Sequence, residues 1–181
     1  MNQNEKINPG CIHVYCGDGK GKSTAAIGLV IRAAGHGKRV LLVQFLKDGS
    51  SGELAILRQL TGIEVITGQL VRKFSFAMNE QEKKRTCDLH RQYLSDAAGR
   101  VQADPIDLLI LDEVLGAIET NLLPEAELIR FLREKPPQLE VVLTGRKLTP
   151  SIEPLADYIS EIRCLRHPYE NGIPARPGIE Y

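Results

Sequence analysis

The stretch Cys16-Gly17-Asp18-Gly19-Lys20-Gly21-Lys22-Ser23-Thr24 decides how this chain is read. An apolar, β-rich run from Cys11 to Cys16 leads into it, and an apolar-faced run from Ser23 to Ala34 follows. Strand, glycine-rich turn and helix in that order are the setting a phosphate-binding loop requires. Glycines let successive backbone N–H groups turn around an anion, and a helix N-terminus adds positive dipole. Lys22 supplies a mobile cation for phosphate oxygens, and the Ser23 hydroxyl suits a magnesium ion. The usual spacing, G-x-x-x-x-G-K-[ST], puts its first glycine at position 16, where this chain has Cys16. The match therefore rests on Gly21-Lys22-Ser23 with Gly17 and Gly19. The plain alternative is a glycine-rich turn carrying an exposed lysine; the flanking strand and helix favour phosphate binding.

Outward from the loop, short β-rich runs alternate with longer helical ones. That alternation predicts an α/β fold, a mostly parallel sheet flanked by helices. Gly35 and Gly37 end the first helix. Strands are expected at Arg39 to Leu46, Ile63 to Thr67, Asp107 to Leu111 and Glu140 to Thr144, with a sixth, at an edge, at Tyr158 to Leu165. A long helix is expected from Asn79 to Val101, where Leu89, Tyr93, Ala97 and Val101 recur every four residues beside Leu94 and Ala98. Another should follow Pro124, a residue suited to the first helical position. No linker or repeat divides the chain, so residues 1–181 read as one domain. Residues 1–10 are expected to be flexible, and 166–181, with three prolines and two glycines, to form a C-terminal loop.

A nucleotide site needs a carboxylate at the end of a neighbouring strand. Asp112 and Glu113, directly after the apolar run Leu108 to Leu111, meet that need, although either residue can also simply cap a turn. Magnesium keeps several waters, so one carboxylate plus phosphates suffices. Composition narrows the partners. Hydrophobic residues are 43% and charged residues 25%, enough for a real core. Lys plus Arg and Asp plus Glu are 23 each, so the net charge is zero and no basic surplus points to nucleic acid. No apolar run approaches the roughly 18 residues of a membrane span, and the N-terminus has no apolar signal region. A soluble cytoplasmic protein is expected. The four cysteines form no CxxC pair, and Cys87 with His90, one helical turn apart, lacks a second pair to complete a metal site.

These residues also resemble a known family. Gly17 to Ala26 is similar to the shortened phosphate loop of the P-loop ATP:corrinoid adenosyltransferases. The likeness continues in Gly35-His36-Gly37-Lys38, Val43-Gln44-Phe45, Leu111-Asp112-Glu113 and Thr144-Gly145-Arg146. It reaches Leu155-Ala156-Asp157 and the ending Gly178-Ile179-Glu180-Tyr181. The family loop is short in the same way at position 16. The resemblance implies a P-loop NTPase-like (RecA-like) fold and a reaction in which a Co(I) corrinoid (a cobalamin) attacks C5′ of ATP and triphosphate leaves. It implies ATP held reversed in the loop, by Gly17, Asp18, Gly19, Lys20, Gly21, Lys22, Ser23 and Thr24. Ser23 with Glu113 or Asp112 would hold Mg2+ (or Mn2+). Phe74 and Phe76 match aromatics that pack on the corrin and displace its lower axial ligand. In an extended segment they would point to one side; without the family they read as core. The family usually has Trp at the second of these positions and often Asn where this chain has Asp18. Arg32 and Arg146 are candidate phosphate contacts, each equally suited to a surface ion pair. A reduced flavoprotein as electron donor and a homodimer are further implications. A γ-phosphate ATPase or kinase and a non-catalytic carrier are the competing readings.

Overall fold

The computed structural model describes residues 9–68, 73 and 75–180. Phe74, and most of the N-terminal stretch expected to be flexible, lie outside these. Six strands form the sheet: β1 (Ile12–Cys16), β2 (Val40–Gln44), β3 (Ile63–Ile66), β4 (Leu108–Asp112), β5 (Glu140–Thr144) and β6 (Tyr158–Glu161). Their spatial order is β3-β2-β4-β5-β1-β6, and every pairing is parallel. A parallel sheet is covered on both faces, which is why β2 and β4 are buried along their whole length and read as unbroken apolar runs.

Two layers of helix cover it. On one face, α1 (Lys22–Gly35) and α2 (Glu53–Leu57) pack Ala26, Val30, Ala33, Leu54 and Leu57 against Val40, Leu42 and Ile110. On the other face lie α3 (Glu80–Ala103), α4 (Val114–Glu119) and α5 (Glu125–Glu134). There Tyr93, Leu94, Ala97 and Val101 meet Leu128, Phe131 and Leu132 over Leu41, Leu109 and Leu143. Expected boundaries hold within a few residues. α1 ends as Gly37, at φ 72°, donates to Ala34 and Lys38 donates to Ala33. Asn79 and Glu82 close a reciprocal capping box on α3.

Two expected boundaries are corrected, and two helices are additional. β2 stops at Gln44 rather than Leu46, because Leu46 turns to φ 55°. β6 stops at Glu161, since the chain then bends to meet the phosphate loop. The short helices α2 and α4 carry too few residues for a periodic signal. The long helix also buries Thr86 and His90, two polar residues absent from the apolar stripe. The tail after Arg166 has one 3-10 turn, Pro168–Asn171, and no strand or α-helix among its described residues. No helix among the described residues is long and apolar enough to cross a membrane.

Candidate nucleotide site

Parallel strands carry their ligands at their carboxyl ends, and the site forms where β1, β5 and β4 end side by side. Cys16 closes β1, buried, and stands in strand geometry where the usual motif has a glycine. The loop bends only beyond it, at Gly17 (φ 103°) and Gly21 (φ 117°). Gly17 donates its amide to the Arg146 carbonyl and Gly19 to that of Ile162, both at 2.8 Å. A Cβ on Gly17 would lie 2.3 Å from the Ile162 oxygen, and one on Gly19 2.8 Å. These two glycines thus dock the loop on the segments that follow β5 and β6, so their own amides are not free for an anion. The remaining donors come from the first turn of α1, whose N–H groups no helix carbonyl satisfies.

Lys22 is buried and donates from Nζ to the Gly19 carbonyl at 2.7 Å. Ser23 donates its hydroxyl to Asp112 Oδ1 at 2.7 Å. Asp112 is only 1% exposed. The same Oδ1 accepts the Thr144 hydroxyl at 2.8 Å, and Oδ2 accepts Lys47 Nζ at 2.8 Å. β5 lies between β1 and β4, and Thr144 at its end bridges the gap. It accepts the Glu113 amide at 2.8 Å while donating to Asp112. Asp112 is therefore the anchor of the site, turned inward, and Glu113 is the one of the pair that lines the cavity wall, together with Asp48, Glu53 and Glu180. Glu113 takes a left-handed turn, φ 60°, that starts α4. Burial, then the neighbouring Asp112, raises its pKa, partly offset by Lys47, Lys22 and Arg146.

Lys22, Ser23, Lys47 and Glu113 share a cavity of about 1270 Å³. Its floor is the loop from Gly19 to Thr24, and Leu46, Lys47 and Lys73 stand along it. The C-terminal turn, Gly178 to Glu180, also contributes to the wall, braced by an Arg176–Glu180 ion pair at 3.0 Å. A smaller groove of about 280 Å³ lies between α3 and α5, away from the loop. Among the described residues, no group of three or more His, Cys, Asp and Glu could hold a metal. A serine hydroxyl and one carboxylate beside a phosphate site are instead the sparse oxygen set that suits magnesium.

Several expected residues fall elsewhere. Arg32 is exposed in the last turn of α1, ten residues beyond Lys22 and so about 15 Å along the helix, and is not part of the cavity wall. Asp18 accepts the Cys164 amide at 2.9 Å, and that bond lowers its pKa. Its carboxylate ties the loop to the segment after β6. Phe76 sits in a 3-10 turn, Ser75–Ala77, rather than in an extended segment, and is 85% exposed, so it is no part of the core. His90 cannot share a metal with Cys87, because both of its ring nitrogens have protein partners. Lys47 was not anticipated as a site residue. Its only signal is its place just past the end of a buried strand, on the edge where the loop lies.

A phosphate loop at the end of β1, an aspartate anchor on β4 and a parallel sheet define a P-loop nucleotide-binding protein. Two solved structures share the fold. They are EccC ATPases 2 and 3 of Thermomonospora curvata in complex with a signal sequence peptide, and the cytoplasmic domain of the Type VII secretion ATPase EccC from the same organism. Each gives a TM-score of 0.53, at 21% and 20% identity, over 88% and 94% of this chain and 32% and 23% of theirs. The sequence relatives are closer. Corrinoid adenosyltransferase of Escherichia coli K12 is 35% identical over 95% of this chain and 86% of its own. Corrinoid adenosyltransferase CobA of Salmonella typhimurium is 36% identical over the same shares. That of Pseudomonas aeruginosa is 33% identical over 95% of this chain and 84% of its own. The profile of the ATP:corrinoid adenosyltransferase BtuR/CobO/CobP family matches residues 8–181. The chain belongs to that family, and is an ATP-dependent transferase that moves an adenosyl group from ATP to a corrinoid.

Proposed function

We propose that the cavity above the Gly19–Thr24 loop holds ATP with its triphosphate on Lys22 and Lys47 and its C5′ facing the corrinoid. The observation that carries this is the convergence of Lys20, Lys22, Lys47 and Lys73 with the Ser23 hydroxyl and the Glu113 carboxylate on one cavity. The cobalt of the reduced corrinoid gives its electron pair to C5′. The C5′–O bond breaks, its electrons pass to the α-phosphate oxygen, and triphosphate leaves whole. No proton moves at the nucleophile, so no general base is needed. The protein orients the two substrates, offsets the growing charge on the leaving group and excludes water.

Ser23 and Glu113 are the residues that would hold a magnesium (or manganese) ion, with Asp112 fixing the Ser23 hydroxyl. When bound, such an ion withdraws charge from triphosphate oxygens as a Lewis acid. Phe74 and Phe76 are proposed to pack on the corrin, which gives the exposed Phe76 ring a use that core packing does not. A homodimer, a reduced flavoprotein as the electron source and a cytoplasmic setting belong to the same proposal.

The test is an anaerobic assay with ATP, magnesium and chemically reduced cobalamin, following the corrin spectrum and the phosphorus products. A light-sensitive alkylcobalt species with triphosphate is expected. ADP and phosphate with an unchanged corrin would overturn the proposal in favour of chemistry at the γ-phosphate.

A further inference from the structure

His90 lies within α3 and is fully buried, although imidazole carries two polar nitrogens. Both are used. Nδ1 is 3.0 Å from the carbonyl oxygen of Leu122, and Nε2 is 3.3 Å from the amide nitrogen of Leu46. A carbonyl only accepts and an amide only donates, so the ring is neutral with its proton on Nδ1. Burial supports this, pushing the ring's pKa down to about 4.

The residue it holds is unusual. Leu46 has φ 55°, a region that a bulky side chain occupies only under constraint. That turn ends β2 and carries the chain onto the cavity wall, where Leu46 and Lys47 both stand. From there Lys47 Nζ reaches Asp112 at 2.8 Å and Glu53 at 3.8 Å. Phe45, the preceding residue, packs its ring edge-on to His90 with centroids 5.3 Å apart. Without an acceptor at Nε2, the Leu46 amide would lose its partner in a part-buried setting, and the turn would relax toward an ordinary extended geometry. Lys47 would then leave the phosphate side of the cavity.

We propose that His90 is a positioning residue for the nucleotide site: it holds the left-handed turn at Leu46 and thereby aims Lys47 at the triphosphate. The proposal rests on the placing of ATP in this cavity. It gives a role to a polar core residue that otherwise interrupts an apolar helix face, and it links α3 to a site that α3 does not line.

The experiment is a double-mutant cycle on the full chain, read as the dissociation constant of ATP with magnesium by calorimetry. His90→Phe keeps an aromatic ring beside Phe45 and Tyr93 but offers no acceptor, and Lys47→Met removes the cation. Each single change is expected to weaken ATP about tenfold, with cobalamin affinity unchanged, and the double variant to be no weaker than the weaker single. Losses that multiply to about a hundredfold, or a His90→Phe protein that binds ATP normally, would overturn the proposal. If His90→Phe does not fold, His90→Gln replaces it, since its amide can serve both partners. Its ATP affinity is expected to stay within about threefold, and a loss equal to that of Lys47→Met would overturn the proposal. Wild-type protein that binds ATP yet forms no adenosylated corrinoid would refute the proposed reaction, while the cycle would still decide the role of His90.

Discussion

Asp112 and Glu113 are adjacent in sequence and opposite in setting, because one peptide turn separates their environments. Asp112 ends a buried strand and meets three close donors, whereas Glu113 enters a left-handed turn and faces the cavity with its charge poorly solvated. A carboxyl whose folded pKa is raised stabilises nothing at high pH. Its ionisation opposes folding above the raised pKa, and the penalty vanishes once pH falls below the unfolded value. Glu113→Gln is therefore expected to raise the melting temperature at pH 7 and to lose that advantage below about pH 4. The same variant should require more magnesium for half-maximal activity. Thermal melts across pH and a magnesium titration of the rate at fixed ATP check both. Asp18 offers a second contrast. Asp18→Asn keeps an oxygen for the Cys164 amide and should leave the melting temperature unchanged, whereas Asp18→Ala should lower it.

Elements are held to one another at a few defined joints. The phosphate loop docks against the chain leaving β6 through Gly17 and Gly19, with backbone in direct contact on both sides. Gly17→Ala puts a methyl group against the Ile162 carbonyl at a positive φ that alanine resists, and should cost about 3 kcal/mol or more. Reduced yield of folded protein and a sharp loss of ATP affinity are the expected readouts. At the start of α3, the Asn79–Glu82 box satisfies two amides that the helix itself cannot. Asn79→Ala should destabilise the protein by about 1 kcal/mol without changing ATP affinity, as denaturant melts and calorimetry would show.

At the scale of the molecule, the buried neutral His90 makes the fold sensitive to acid. Its folded pKa, about 4, lies below the unfolded value, so the unfolded chain binds the proton more readily. Stability from this group is complete at neutral pH and falls as pH drops from about 6.5 toward 4, by up to about 3 kcal/mol. His90→Gln has no proton to bind and should flatten that stretch of the stability–pH curve, measured by urea unfolding at successive pH values.

The sequence by itself determined the alternating α/β architecture, because hydrophobic period and glycine placement are local properties that single segments carry. It also determined the loop, Lys22, Ser23 and the Asp112-Glu113 pair, since each sits beside a strand whose end is visible in the chain. Only the tertiary structure decided which of the two carboxylates faces the cavity, for that depends on the turn at Glu113 and on Thr144 from a different strand. It likewise decided that the Gly17 amide goes to Arg146 beyond β5, that Asp18 holds the segment after β6, and that Arg32 lies far along its helix. Lys47 and His90 were invisible for the same reason. Their roles arise from contacts across 44 and 65 positions, between His90 and Leu46 and between Lys47 and Asp112, which no local period records.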